Sequence, residues 1–237
     1  MTDIQIQNAK DISAEFLKIL VHGPSGSGKT RLCTTTGGKT LVINAEGGMI
    51  SIGGEDIDFF KISKIDDLRK IYQFLSIDVT YDWVCLDSIS EIGEIVLSQE
   101  MKATKDPRKA YGEMQQVIGD LIRLFRDLPK NIYFSAKQER IKDEVSGQIF
   151  WGPSMPGQKL GPSMPYFFDV VCAARVRLVD GKHEYFLQTQ RDEQYEAKHR
   201  VPKHVEPLPM FIPVVTGRNT LGNIRDYIIN TPKGEQP

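Results

Sequence analysis

Apolar residues fall along this chain in two alternating patterns. Short continuous runs, rich in β-branched residues, occupy 17–21, 40–44, 83–87, 131–136 and 170–179. Each is bounded by turn-forming or polar residues and has the length of a strand buried on both faces. Between these runs, apolar positions recur three and four residues apart. Ile65, Leu68, Ile71, Tyr72 and Leu75 form one stripe, and Ile89, Ile92, Ile95 and Val96 a second. Met114, Val117, Ile118, Leu121, Ile122 and Phe125 form a third, with Arg123 and Arg126 off its face. Such stripes predict helices packed on a sheet. Ser63 is the expected N-cap of the first helix, with Asp66 three residues on. A further short strand is expected over 59–62. Asp180 and Gly181, ahead of a strand over 183–189, predict a two-residue hairpin. Strands alternating with helices argue for an α/β fold: a mostly parallel, twisted sheet with helices on both faces and an antiparallel edge hairpin.

Four stretches lack this regularity. Residues 1–16 are polar, with Ile4 and Ile6 alternating as a short edge strand would; a flexible or oligomer-contacting arm fits equally well. Residues 102–112 hold Lys102, Lys105, Arg108, Lys109 and Tyr111 with a proline and a glycine, and read as a basic loop between two helices. Residues 140–165 carry little periodicity, eight glycines and prolines, and Lys142, Trp151 and Lys159. The pentapeptide Gly-Pro-Ser-Met-Pro occurs there twice, at 152–156 and 161–165, and marks two similar turns. A structureless loop this long in a compact domain is functional or disordered. Residues 193–218 are irregular and basic in their middle, at Lys198, His199, Arg200, Lys203 and His204, with prolines that oppose regular structure. Leu221, Ile224, Tyr227 and Ile228 then predict a short helix. The expected organisation is an arm over 1–16, a core over 17–192, and a C-terminal extension over 193–237.

The chemistry is concentrated after the first run. Gly23-Pro24-Ser25-Gly26-Ser27-Gly28-Lys29-Thr30 matches G-x-x-x-x-G-K-[ST], the phosphate-binding loop, between a strand and a helix that opens through Arg31. Its glycines let backbone N–H groups approach phosphate oxygens, and the helix start adds partial positive charge. Lys29 reaches the β- and γ-phosphates, and the Thr30 hydroxyl holds Mg²⁺. Gly37 and Gly38 stop this helix about two turns on. The strand over 40–44 runs into Glu46, and the strand over 83–87 ends in Asp87, both on the ligand side of such a sheet. Opposite a phosphate loop, Asp87 suits the Mg²⁺ site. The strand over 131–136 delivers Lys137 and Gln138 to the same edge.

The spaced set 23–30, 43–46 and 85–88 resembles the RecA-like recombinase ATPase core. It is most similar to the compact phage RecA-like ATPases that accompany single-strand annealing and recombination. The resemblance covers about residues 17–192. It implies ATP hydrolysis with ATP and Mg²⁺ as cofactors, and Glu46 as the residue that activates water. It also implies Gln138 as γ-phosphate sensor, with Lys137 one residue away competing for that role, and Arg191 reaching a neighbouring subunit's ATP. Single-stranded DNA is the implied partner, touched by 102–112 and 140–165, together with a single-strand-binding or annealing protein and further copies of the chain. A basic stretch with an aromatic suits single-stranded nucleic acid. There are departures from the pattern. The large N-terminal oligomerisation helix and C-terminal domain of RecA are not expected, and no residue stands out as the aromatic that stacks on adenine. Two further readings stay open: a nucleotide-gated binding module with negligible turnover, and a P-loop kinase, which no arginine-rich lid segment supports.

Composition narrows this only at the margins. Across 237 residues the formal net charge is −1, so nucleic-acid binding would need a local patch. Cys33, Cys85 and Cys172 lie far apart, show no metal-ligand spacing, and suit a reduced, cytoplasmic compartment. No signal peptide or membrane span is expected.

Overall fold

A computed structural model describes residues 15–143 and 146–231. The arm expected around Ile4 and Ile6 and the last six residues lie outside the described residues. The apolar runs form β1 (Lys18–His22), β2 (Thr40–Asn44), β4 (Trp83–Asp87), β5 (Asn131–Ala136) and β8 (Val170–Val179). With β3 (Asp58–Lys61) they make a parallel array in the order β3-β2-β4-β5-β1-β8. The Asp180–Gly181 turn returns the chain as β9 (Lys182–Gln188), antiparallel to β8, with both turn residues at positive φ. This is the α/β, RecA-like architecture expected: a mostly parallel sheet with antiparallel strands at one edge.

Consecutive strand residues face opposite layers, which is why the runs are apolar throughout. Leu41, Ile43, Val84, Leu86, Ile132 and Phe134 pack against α2 (Ile65–Ile77), α3 (Ile89–Ala103) and α4 (Pro107–Arg126). Val42, Cys85 and Tyr133 point the other way, into a layer closed by Leu32 and by Leu221, Ile224 and Ile228 of α6 (Thr220–Ile229). The C-terminal helix is thus a principal cover of one sheet face. Residues 193–218 also contribute to the sheet. β10 (Lys198–His199) pairs with the start of β8, and β11 (Phe211–Val214) pairs with β9. Pro213 is tolerated because β11 is the outermost strand.

Four local expectations are corrected. The basic loop over 102–112 is only a short connection. Asp106 caps α4 by accepting from the Arg108 N–H at 3.0 Å, and Pro107 is the first helical residue, so Arg108, Lys109, Tyr111 and Gly112 are helical. An Asp-Pro pair that looks like a break is a helix start, because proline lacks an N–H that the first turn does not need. The described residues of 140–165 are structured: β6 (Gln138–Lys142) and β7 (Ile149–Pro153) pair antiparallel, and α5 (Leu160–Ser163) and a 3₁₀ turn over Met164–Phe167 follow. The two pentapeptides are not similar turns. One ends β7 and the other lies in α5 and the 3₁₀ turn, yet each buries its methionine, Met155 or Met164. Finally, it is Asp67, not Asp66, that accepts from the backbone N–H groups of Ser63 and Lys64, so α2 starts one residue later than Ser63 predicts.

Candidate nucleotide site

Parallel strands in register bring their C-terminal ends to one edge. Asn44 lies beside Asp87, Leu86 beside Phe134, and His22 beside Ala136. The phosphate loop leaves β1, which lies between β5 and β8, and turns into α1 (Lys29–Leu32). Gly26 and Gly28 adopt φ of 77° and 84°, values that favour glycine. A 3₁₀ turn follows, and the helical stretch ends before Gly37 and Gly38, as expected.

Lys29 is held along its own loop, with Nζ donating to the Gly23 and Pro24 carbonyls at 2.9 and 2.8 Å. Burial pulls its pKa down, and the Glu46 and Asp87 carboxylates oppose that shift. The Lys29 carbonyl accepts from the buried Tyr133 hydroxyl at 2.8 Å, a support that sequence reasoning missed inside an apolar strand.

The two acids come from neighbouring strand ends. Thr30 Oγ1 donates to Asp87 Oδ2 at 2.6 Å, and the Ser135 hydroxyl donates to Asp87 Oδ1. Asp87 is almost fully buried. Backbone N–H groups of Ala45 and Glu46 donate to the Asp87 carbonyl, and the Ser88 hydroxyl donates to Glu46 Oε1. A Cβ on Gly48 would come 3.1 Å from Thr30 Oγ1, so glycine there keeps the space beside this hydroxyl uncrowded. A hydroxyl and a carboxylate form a hard, all-oxygen donor set that fits Mg²⁺. Thr30 and Asp87 would hold it.

Above the buried Asp87 lies a cavity of about 1070 Å³, lined by the whole loop 23–30, Arg31, Glu46, Gly48, Lys137 and Gln138. Its far wall was not legible in the sequence: Tyr185 of β9 and residues 214–219, including Arg218, close it. Tyr185 Cδ1 would lie 3.6 Å from a Cβ on Gly28. It places an exposed aromatic at a site where none stood out, and only the β8–β9 pairing brings it there. Gln138 Oε1 is buried without a hydrogen-bond partner. Lys137 reaches Glu91 Oε2 at 2.6 Å and Glu46 Oε1 at 3.9 Å.

Arg191 lies off the cavity wall. It sits 3.6 Å from Glu196 Oε2 and stacks on Phe150 at 4.8 Å from the ring centroid. The basic residues fall in two groups. Lys102, Lys105, Arg108 and Lys109 are exposed around the α3–α4 turn, and Lys142 and Trp151 lie on the β6–β7 hairpin, where Arg140 stacks on Trp151. Tyr111 joins the first group to the segment carrying Lys159, with its ring 3.3 Å from the Cβ position of Gly157.

A phosphate loop at a sheet switch point, with its Thr30 bonded to a buried Asp87, defines a P-loop nucleoside triphosphatase site. The chain belongs to the AAA domain family of P-loop ATPases, whose profile matches residues 15–201. Among solved structures, it is similar to a KaiC-like protein from the hyperthermophilic archaeon Pyrococcus horikoshii OT3. The TM-score is 0.50 at 13% identity, covering 88% of this chain and 89% of that one. The RadB recombinase is also similar, with TM-score 0.44 and 16% identity, covering 74% of this chain and 83% of that one. A search of curated proteins finds no match. Among the described residues, no helix is long and apolar enough to cross a membrane.

Proposed function

We propose that this ATPase hydrolyses ATP in response to single-stranded DNA, in a recombination or annealing role of the phage type. The loop and Lys29 position the triphosphate, and Glu46 orients and deprotonates the attacking water. The γ-phosphorus–oxygen bond to the β-phosphate breaks as the bond to water forms, releasing ADP and phosphate. When bound, Mg²⁺ neutralises charge developing on the phosphate oxygens.

The observation that carries the DNA reading is one of continuity. β5 ends at the cavity with Lys137 and Gln138, and the chain then runs directly into the hairpin bearing Lys142 and Trp151. A phosphate-dependent shift at Gln138 would therefore be felt in a hairpin that presents the Arg140–Trp151 stack and Lys142, groups suited to base stacking and phosphate contact. Arg191 supplies charge to a neighbouring protomer's site in this reading, by leaving Glu196 and Phe150.

The test is steady-state ATP turnover against single-stranded DNA concentration, with solution mass measured with and without nucleotide. Stimulated turnover with assembly supports the proposal. ATP-gated DNA binding without turnover would make the protein a binding module, and unchanged turnover without DNA binding would remove the DNA role.

A further inference from the structure

Two arginines and three aromatic rings interleave against one face of the sheet end formed by β8, β9 and β11. The Arg175 guanidinium stacks on Tyr195 at 3.7 Å from the ring centroid and lies 5.8 Å from Phe186. Arg177 lies 5.3 Å from the same Phe186 ring, which meets Phe211 edge-on with 5.3 Å between centroids. Strand register explains the grouping. Arg175 is opposite Phe186, Arg177 is opposite Glu184, and residues two apart share a face, so Lys182 joins them at the turn. The alternate residues point the other way. Ala174 and Leu187 belong to the apolar layer under α6, with Ile212 and Val214 packed against it, and Tyr185 walls the nucleotide cavity. The arginine–aromatic face is therefore on the side of Val171, which packs with the α2–α4 layer. It continues into β7. The Trp151 N–H donates to the Gln194 carbonyl at 2.6 Å, and the Glu196 N–H donates to the Trp151 carbonyl at 2.8 Å, on either side of Tyr195.

We propose that this face is a binding site for single-stranded nucleic acid. Bases stack on the exposed Phe211 ring and on the guanidinium planes held by Phe186, and backbone phosphates meet Arg177 and Lys182. The proposal rests on the single-stranded DNA reading above and adds a site outside the 102–112 and 140–165 segments.

Shape, order and charge favour such an occupant. Phe211 is 49% exposed on the outermost strand and offers open ring surface. The arginines are held flat before any ligand arrives. Arg175 Nη1 donates to Gln188 Oε1 at 2.7 Å, and Arg177 Nε donates to Glu184 Oε2 at 2.9 Å. Such pre-ordering spares part of the entropy otherwise lost on binding. Arg175, Arg177 and Lys182 outnumber the carboxylates beside them, Glu184 and Asp192. Asp192 is turned to the backbone N–H groups of Gln194 and Tyr195, at 2.8 and 2.7 Å. Glu184 is held in an exposed ion pair that water already screens, so a phosphate displaces it from Arg177 at little cost. A folded protein partner would need a continuous apolar patch. Rings alternating with cations match a strand that alternates bases with phosphates.

Binding of a fluorescein-labelled oligothymidylate to the full chain is followed by anisotropy across a salt series, with DNA-free ATP turnover, circular dichroism and solution mass measured alongside. Phe211→Ala is expected to weaken binding about tenfold, the loss of one base stack, and Phe211→Tyr to keep it. Arg177→Gln should also weaken binding and reduce the log–log salt slope by about 0.7, one phosphate contact on a single strand. Leu178→Ala, on the opposite face and 67% exposed, should bind like the wild type. DNA-free turnover should be unchanged in all of them. Should Phe211→Ala fail to fold, Arg177→Gln decides. If the folded variants bind like the wild type, this site is overturned and the DNA reading stands. If the wild type binds no oligothymidylate, the DNA reading fails and this site with it. Variants that change solution mass but not DNA affinity would make the face an interface between copies, which also overturns the proposal.

Discussion

Glu46 follows β2 and Asp87 ends the neighbouring β4, with the Glu46 backbone N–H donating to the Asp87 carbonyl at 3.4 Å, yet the two side chains have different surroundings. Asp87 is buried and takes the Thr30 and Ser135 hydroxyls on its two oxygens, a fixed seat consistent with the cation role proposed for it. Glu46 takes one hydroxyl, from Ser88, and its side chain is 27% exposed to the cavity, where water can reach it. Glu46→Gln should therefore lower turnover by about 10²–10⁴-fold, the range for a lost general base, while ATP affinity changes little. Single-turnover hydrolysis with direct binding measurement checks both halves. His22, one residue before the loop, has a different consequence. Its buried Nε2 lies 2.7 Å from the Glu196 carbonyl, and burial lowers its pKa to about 4. In the unfolded chain the imidazole titrates near 6.5. As pH falls from 6.5 to 4, the unfolded state takes up a proton that the folded state refuses. Stability is therefore full above pH 7 and should fall by roughly 3 kcal/mol across that window. Glu196, whose carboxyl burial raises, acts in the opposite sense. The pH dependence of the urea midpoint should therefore be compared with that of His22→Gln, in which the His22 contribution is absent.

At the scale of elements, the site depends on how strand ends are held in register. The run-in to β5 carries a buried ion pair. Lys130 Nζ donates to the Asp78 carboxylate at 3.0 Å and to the Asp78 and Tyr81 carbonyls at 2.9 and 2.8 Å. This ties the end of α2 and the approach to β4 to the start of β5. Lys130→Met removes one partner of a buried pair and leaves the carboxylate uncompensated, a change that costs about 3–5 kcal/mol. Chemical denaturation should show that loss, and Lys130→Met with Asp78→Asn should recover part of it. Elements also mark where sequence reading succeeded and failed. The parallel strands were legible because burial on both faces leaves little choice of residue type. The β6–β7 hairpin was not, because its partner is remote. Trp151 exchanges backbone hydrogen bonds with Gln194 and Glu196, more than forty residues on, and Gly152 leaves room for Ile141. Local periodicity carries no trace of either contact. The start of α4 was misread because Asp106 and Pro107 are signals of both a loop and a helix cap, and only the apolar face packing behind them decides.

For the whole molecule, the segment after residue 192 is part of one folded unit. It supplies β10, β11 and α6, and α6 covers Val42, Cys85 and Tyr133 from the face opposite α2, α3 and α4. A chain ending at residue 192 would expose that apolar face and lose the cavity wall formed by 214–219. Burial of each large aliphatic side chain contributes about 1.5–3 kcal/mol, so losing Leu221, Ile224 and Ile228 together removes about 4.5–9 kcal/mol, comparable with a typical margin of stability of about 5–15 kcal/mol. Such a truncation should be insoluble or unfolded by circular dichroism. If it folds and binds ATP, the C-terminal segment is dispensable.

The sequence by itself determined the parallel sheet, the phosphate loop, and the acids that end its strands. Those features are written in local residue types: strands buried on both faces must be apolar, and a backbone that cradles phosphate needs glycine. Tertiary structure alone decided that Tyr185 and Arg218 wall the cavity, that the last helix covers a sheet face, and that Lys137 is shared between Glu91 and Glu46. Those arrangements join residues tens of positions apart, through pairing and packing that no local pattern encodes.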